Sequence, residues 1–342
     1  MKINYILILV FIMILIIYSI LKKSIIHRYL VFQDAKLFSE DFAPIKINNK
    51  WGYINKKGEI IIPTQFDNAD LFSEEYAPIE VNEQWGYINK QGKRVIEPKY
   101  IRCYPFYNGC ALVKQKNNLK NKSEFYYINK KGEFIFNNVS VYPDVIYKDI
   151  LTTGERYIDK KNNNILNRNF ELAYPFNNGF AIVKENDLYH YINIKGEYIY
   201  QDIQSFPTDF SEGYAGIEKN NNWGYINESG EIIIECKFEK TFKFSEGLGL
   251  IKKNNKYGYI DKNGNIIIKN KYTDAGLFKE GYAPVKKFGK WGFIDKKGKY
   301  KIKPIYDDVK EFSEGYAPVK KFGKWGFIDK KGKYLKIKLN QE

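Results

Sequence analysis

Residues 278–307 read FKEGYAPVKKFGKWGFIDKKGKYKIKPIYD, and this stretch decides the fold. Its central part, residues 280–300, recurs without change at residues 314–334. Aromatic and β-branched residues fall in three short runs separated by glycine-containing breaks, which is typical of strands rather than helices. We therefore predict strands over residues 282–287, 291–295 and 299–303.

The breaks in this stretch have turn chemistry. Asp295 can bond its own backbone, and Gly298, at the fourth position, accepts a positive φ. Pro304 lacks a backbone donor, so we predict that it ends the third strand. The same turn signature recurs at residues 55–58, 89–92, 129–132, 227–230, 261–264 and 329–332.

The phrase Trp-Gly-aromatic-Ile marks the period of the chain. Its glycine has no Cβ, which predicts a ring or backbone close against it. Successive copies lie 34 residues apart, and weaker copies without Trp begin at residues 125, 155 and 189. The spacing predicts nine units, with a divergent centre at about residues 101–205. The repeat-core residues are Trp51, Gly52, Trp85, Gly86, Trp223, Gly224, Tyr257, Gly258, Trp291, Gly292, Trp325 and Gly326.

This pattern resembles the bacterial WG-repeat family, whose mark is F-x-E-G-x-A-x-V followed by K-W-G-[YF]-I-[DN]-x-x-G. The resemblance covers residues 36–338 and implies an all-β repeat fold. It implies little about activity, because the family has no agreed shared biochemical function.

Two architectures satisfy the pattern over residues 35–342. One unit cannot bury its apolar strands alone, so its neighbours in the array must cover them. A β-propeller usually has four strands per blade and 4–8 blades. Three predicted strands and nine units favour an open β-solenoid-like superhelix, with a β-propeller as the alternative.

The N-terminus carries an apolar run of 19 uncharged residues at positions 3–21. This length predicts a transmembrane helix, so residues 1–22 are interpreted as an anchor and residues 23–34 as a juxtamembrane linker. A cleaved signal segment is the alternative. The membrane is then a partner through residues 3–21, and the side on which the repeats lie stays open.

Positive charge is concentrated at the C-terminal end. The chain has a net charge of +15, and residues 281–338 contain 17 lysines against six acidic residues. Lysines at equivalent positions of two adjacent units form a candidate anion-binding patch. They are Lys286, Lys287, Lys290, Lys320, Lys321 and Lys324. The alternative is a surface that lysines merely keep soluble.

Residues for catalysis or metal binding are scarce. The chain has two histidines, His27 and His190, and three cysteines, with no CxxC and no phosphate-binding or nucleophile motif. We therefore predict no enzyme activity, metal site or cofactor. The acidic turn residue Asp295 is interpreted as structural, and the repeat tryptophans as core rather than as stacking platforms.

Three functions fit these observations. The first is a membrane-anchored scaffold that binds a protein or a cell-envelope polymer, since extended repeat surfaces suit binding. The second is an anionic-polymer or nucleic-acid binder using the basic C-terminal units, although nucleic acid is disfavoured because no motif for it is present. The third is an enzyme or inhibitor with a site in the divergent central units.

Overall fold

The computed structural model describes residues 12–17, 19, 29–117, 122–137, 150–159 and 161–338. Helix covers residues 12–17 and residue 19. A membrane span requires about 20 apolar residues in one helix, and no helix in the described part of the chain has that length and apolarity. This finding overturns the predicted anchor over residues 3–21 and the membrane localisation based on it. The remaining residues of that predicted segment lie outside the described ones.

The rest of the described chain is β-structure, as the repeats predict. Strands pair antiparallel within nine small sheets, numbered here in chain order. Sheets 1 to 3 contain Asp34–Ala35, Phe42–Ile47, Lys50–Asn55 and Ile60–Phe66; Asn68–Ala69, Tyr76–Val81, Gln84–Asn89 and Arg94–Tyr100; and Arg102–Cys103, Cys110–Asn117, Lys122–Asn129 and Phe134–Asn137. Sheets 4 to 6 contain Leu151–Thr152 and Tyr157–Ile158; Leu172–Ala173, Phe180–Glu185, Leu188–Asn193 and Tyr198–Ile203; and Tyr214–Lys219, Asn222–Asn227 and Ile232–Phe238. Sheets 7 to 9 contain Lys240–Ser245, Leu248–Lys253, Lys256–Ile260 and Ile266–Tyr272; Asp274–Ala275, Ala283–Lys287, Lys290–Ile294 and Tyr300–Tyr306; and Asp308–Val309, Tyr316–Lys321 and Lys324–Asp329.

Most sheets have one strand more than predicted. A two-residue strand begins almost directly after the last strand of the previous sheet, as Asn68–Ala69 follows Phe66. The last strand also runs through Pro304, which does not end it. The pairing skips from Ile302 to Tyr306 at this point, so the proline sits in a bulge, where its missing N–H costs no ladder hydrogen bond.

The turns follow from the residues that form them. The tip of the hairpin in sheet 1 has φ of 48° at Asn48 and 62° at Asn49, which is the backbone of a two-residue hairpin turn. At the other end of the same strand, the side-chain oxygen of Asn55 accepts hydrogen bonds from the amides of Lys57 and Glu59. Both turns fix the register of the strands, which places the same side of each sheet against its neighbour.

The hydrophobic core is divided among the contacts between consecutive sheets. Between sheets 1 and 2, for example, the rings of Trp51 and Tyr53 pack with Phe72 and Ile79. Nine such clusters occur in the part of the chain that the structure describes. An open row of nine sheets has eight contacts between neighbours; the ninth cluster joins sheet 9 to sheet 1 through Phe327 and Phe38.

The N-terminal segment closes the ring. Phe32 and Trp325 exchange two backbone hydrogen bonds of 3.1 and 2.9 Å, so Phe32 takes the place in sheet 9 that Phe66 holds opposite Trp51 in sheet 1. Beyond sheet 9, the amide of Lys338 donates to the carbonyl of Gly58. The predicted open superhelix is therefore wrong. The chain forms a closed ring that resembles a β-propeller, and residues 29–32 are part of it rather than of a linker.

Candidate functional site

The repeat-core residues lie at the contacts between sheets. Trp51, Trp85, Trp223 and Trp325 are only 2–6% exposed, whereas Trp291 and Tyr257 are half-buried. The glycine after each of these rings faces the bulge of the last strand. A Cβ on Gly52, Gly86, Gly224, Gly258 or Gly292 would lie 2.4–2.6 Å from a carbonyl oxygen there, and a Cβ on Gly326 would lie 2.0 Å from the carbonyl oxygen of Tyr29. The glycines therefore let two backbones approach each other.

Each of the five tryptophan rings has a cation over it. Such contacts stabilise a ring by about 0.5–2 kcal/mol, depending on solvent exposure. The distances from the cation to the ring centroid are 5.5 Å for Lys36 and Trp51, 4.0 Å for Arg102 and Trp85, 3.4 Å for Lys240 and Trp223, 5.7 Å for Lys286 and Trp291, and 5.1 Å for Lys310 and Trp325. Burial of four of these rings and the cation over each of the five support a structural role for the tryptophans.

A repeated glutamate links six of the nine sheets to the next sheet in the ring. Glu280 illustrates the geometry: its carboxylate accepts the amide of Gly315 at 3.0 Å and lies 3.1 Å from the ammonium of Lys330. Glu40, Glu74, Glu212, Glu246 and Glu314 make the same two kinds of contact. Their recurrence every 34 residues within each run of units, and the lysine that directly follows the Asn or Asp of six turns, are visible in the sequence as signals of this role.

The glutamate contact at the ring closure predicts acid sensitivity. Burial alone would raise the pKa of Glu314, but the ammonium of Lys56 and the amides of Asp41 and Glu40 outweigh it and lower the pKa below the usual 4.5. A carboxyl with a lowered pKa in the folded state stabilises the fold above its ordinary pKa, and this stability is lost as the pH falls through the folded value.

We expect Glu314→Gln to flatten the loss of stability as the pH falls below about 4.5. Because the site is partly open to solvent, the effect should be less than about 1 kcal/mol. Urea unfolding at a series of pH values measures it, with Glu311→Gln on the same sheet as the control. An unchanged acid profile in Glu314→Gln would show that this carboxylate does not hold the closure.

The six predicted patch lysines lie on two adjacent hairpins. Lys287 and Lys290 face each other across one hairpin, and Lys321 and Lys324 across the next. The patch is partly neutralised by Asp307, which is 2.5 Å from the ammonium of Lys290. The Lys290 ammonium and the amides of Gly323 and Phe322 on the second hairpin lower the pKa of Asp307 despite its partial burial. Sheet 7 carries Lys252, Lys253 and Lys256 at the same positions, so the basic surface extends beyond the six predicted lysines.

The tip of the first of these hairpins departs from the other repeats. Phe288 has a φ of 53° and is 86% exposed. The same turn position holds asparagine in sheets 1, 2, 5, 6 and 7, and asparagine tolerates this conformation far better than a bulky residue. The fold gains no packing from the ring of Phe288, whereas Phe322 on the next hairpin packs against the core.

His190 is a structural residue in this fold. Its ring is buried, and its Nδ1 accepts a hydrogen bond of 3.2 Å from the backbone amide of Asp202. Its Nε2 lies 3.4 Å from the backbone carbonyl oxygen of Glu185. Cys103, Cys110 and Cys236 are not joined in disulfides. Among the described residues, no group of three His, Cys, Asp or Glu side chains is placed to hold a metal ion, and His27 lies outside them.

One cavity lies where the repeat pattern is broken. It has a volume of about 450 Å³ and is lined by residues 206–209 and 240–243, by residues 275–277 and by Leu250. These segments belong to the first parts of units 6, 7 and 8, so the cavity spans three consecutive sheets. Its lining is mostly apolar, with Lys240, Lys243 and Asp209 as the charged groups.

Comparison with solved structures supports the fold. A chain titled "Crystal structure of the eukaryotic initiation factor" aligns with a TM-score of 0.56 at 11% identity, covering 88% of this chain and 94% of that chain. "The beta-propeller domain of the Trilobed protease from Pyrococcus furiosus reveals an open velcro topology" aligns with a TM-score of 0.40 at 11% identity, covering 92% and 99%. At this identity the first similarity shows the fold alone.

Comparison with protein families is more specific. No curated protein matches the chain. The family described as WG containing repeat matches residues 29–51, 51–85, 85–119, 156–189, 191–223, 223–257, 257–291 and 291–325. These matches cover most of the sequence, including residues 29–33 ahead of the first sheet. The chain therefore belongs to the WG-containing repeat family.

Proposed function

We propose that this protein is a non-enzymatic binding scaffold, a closed ring that holds a protein or polymer ligand. The observation that carries the proposal is the cavity across sheets 6 to 8. Elsewhere the recurring charged residues join neighbouring sheets, as Glu280 does with Gly315 and Lys330. In this cavity an irregular segment instead leaves apolar surface open, and mostly apolar concave sites with a few polar groups are where ligands bind.

Affinity capture tests this proposal. The full chain and its Phe206→Ala variant serve as parallel baits in a lysate of the native cells, because Phe206 lines the cavity and is 47% exposed. We expect a partner that the parent retains, that the variant loses, and that is recovered chemically unchanged. Identical partners on both baits would place binding elsewhere. A partner released in altered form would indicate an enzyme.

A second candidate function is supported by the basic hairpins of sheets 8 and 9. The exposed ring of Phe288 lies among lysines, with the ammonium of Lys287 5.0 Å from its centroid. A strained residue that contributes no packing is a signal of function, and lysine clusters attract acidic polymers. A bacterial source stays a proposal from the family resemblance, and a cell-envelope polymer stays one proposed ligand of the scaffold.

The six hairpin lysines give this candidate a salt-dependence test. We expect replacement of Lys286, Lys287, Lys290, Lys320, Lys321 and Lys324 by Gln to weaken binding of polyglutamate or DNA. For DNA, the slope of log affinity against log salt should fall by roughly one for each phosphate that a lysine no longer neutralises. Titrations at low and high salt measure it.

The control removes exposed lysines at the other end of the same strands, namely Lys297, Lys299, Lys331 and Lys333. Equal weakening in both variants would mean that overall charge, rather than this patch, is responsible. Unchanged binding in the hairpin variant would show that these six lysines only keep the surface soluble.

A further inference from the structure

The cavity across sheets 6 to 8 arises from two breaks in the repeat. The first four residues of a regular unit read DAKL at residues 34–37, NADL at 68–71 and DAGL at 274–277, but FPTD at 206–209 and KTFK at 240–243. Sheet 7 consequently begins with a bulged six-residue strand instead of a two-residue one. These two consecutive irregular units thereby supply most of the lining of the cavity.

The walls of the cavity suit an apolar group of limited size. Phe206 keeps 47% of its surface exposed, although its ring packs edge-on against Tyr189 and against Tyr174 at 4.9 Å. Phe242 and Leu277 are half-buried and also line the cavity. A volume of about 450 Å³ is at the low end of ligand pockets, which fits one aromatic or branched side chain with a few further atoms.

The charges of the cavity do not cancel. Lys243 and Asp209 form an ion pair of 2.5 Å across sheets 6 and 7 and neutralise each other. Lys240 has no carboxylate within ion-pair distance among the described residues, and its ammonium lies 3.4 Å from the centroid of the Trp223 ring. Partial burial lowers the pKa of Lys240, an effect that the more distant Glu218 only reduces. An anion beside Lys240 would stabilise its charged form and offset the cost of this desolvation.

We infer that this cavity binds an apolar group that carries a carboxylate. The apolar part lies between Phe206, Phe242 and Leu277, and the carboxylate accepts a hydrogen bond from the ammonium of Lys240. Two sources have this chemistry: the C-terminal residue of a peptide that ends in an apolar side chain, and a free aryl or alkyl carboxylic acid. The inference rests on the proposed binding function and names its ligand class.

Matched probes test the carboxylate. Calorimetric titration of the full chain compares 3-phenylpropanoate with its neutral amide, and a tripeptide ending in Phe with the same peptide amidated at its C-terminus. We expect each acid to bind roughly tenfold more tightly than its amide, which corresponds to about 1.4 kcal/mol for a charged hydrogen bond. Tighter binding of the tripeptide would indicate a peptide C-terminus as the ligand, and tighter binding of 3-phenylpropanoate would indicate a free carboxylic acid.

Variants test the residues. Lys240→Gln should abolish the preference for acid over amide, and Lys240→Arg should keep it. Phe206→Ala should weaken the binding of the acid and of the amide by the same factor. Arg102→Gln is the matched control, because Arg102 occupies the same repeat position over Trp85 and does not line the cavity. Thermal melting of each variant verifies that it is folded.

Three results would overturn the inference: equal affinity for acid and amide, an unchanged preference in Lys240→Gln, or no binding of either acid. If the Phe206→Ala variant captures the same partner as the parent while neither acid binds, that result would support a binding scaffold but rule out this cavity as its carboxylate site. Failure to bind both the partner and the acids would discard the proposed function as well.

Discussion

Replacing Phe32 by alanine should destabilise the folded ring by about 3–5 kcal/mol, the usual effect of removing a buried aromatic ring. Phe32 is 0% exposed and packs with Phe327 and Phe38 in the cluster that joins sheet 9 to sheet 1. In an open array Phe32 would lose its ring contact with Phe327 and its backbone pairing with Trp325, and it would be left at an uncovered end of the array. A large effect of this substitution therefore depends on closure.

Chemical denaturation measures the effect, and Phe288→Ala is the matched control, because that ring is 86% exposed and packs in no core cluster. We expect Phe288→Ala to change stability by less than about 0.5 kcal/mol. Equal and small effects in both variants would contradict the closed ring.

The second large effect concerns the glycine after the repeat tryptophan. In Gly224→Ala the new Cβ would lie 2.4 Å from the carbonyl oxygen of Ile234 and 2.8 Å from the amide nitrogen of Cys236. Both are backbone atoms and cannot swing away, so the bulge of the last strand must move. We expect a destabilisation of about 1–3 kcal/mol, as for other overpacked sites.

Sheet 5 shows how the same position accepts a side chain. There His190 replaces the glycine, and the last strand pairs through Tyr200 and Ile203, with two residues between them. In sheet 6 three residues separate the corresponding Ile234 and Phe238. The shorter bulge leaves room for the imidazole, whose Nδ1 accepts a hydrogen bond from the backbone amide of Asp202.

His190→Gly should therefore also destabilise, although it restores the residue found in the regular units. Thermal unfolding of both single variants checks the pair of predictions. Stabilisation by His190→Gly, or a neutral Gly224→Ala, would show that backbone approach is not the reason for the glycine.

The sequence predicted the strands and turns because they depend on local chemistry. Asn55 and Gly58 form the expected turn, and the 34-residue period corresponds to one sheet. Closure was not predicted, because the units were counted from tryptophan to tryptophan. Phe32 lies 34 residues before Phe66, and the equivalent position after sheet 9 holds Asn340 instead of an aromatic residue. The last sheet thus lacks its own ring and takes one from the other end of the chain.

The candidate site was less predictable than the fold. The residues that break the repeat at positions 206–209 and 240–243 were visible in the sequence. A cavity, however, depends on how three sheets pack, which no single unit encodes. The contacts of Glu280 and its equivalents also cross from one sheet to the next, so their role became visible only when neighbouring sheets were placed together.

Zero-length carbodiimide cross-linking with peptide mass spectrometry tests the closed ring most directly. The chain supplies its own controls in the ion pairs between neighbouring sheets, such as Lys90 with Glu40 and Lys330 with Glu280. Lys56 lies 2.8 Å from Glu314 in the equivalent pair across the closure. A closed ring predicts that the Lys56–Glu314 cross-link forms within single chains at a yield comparable to the controls. Formation of the control cross-links without the Lys56–Glu314 cross-link would contradict the ring and restore the open array.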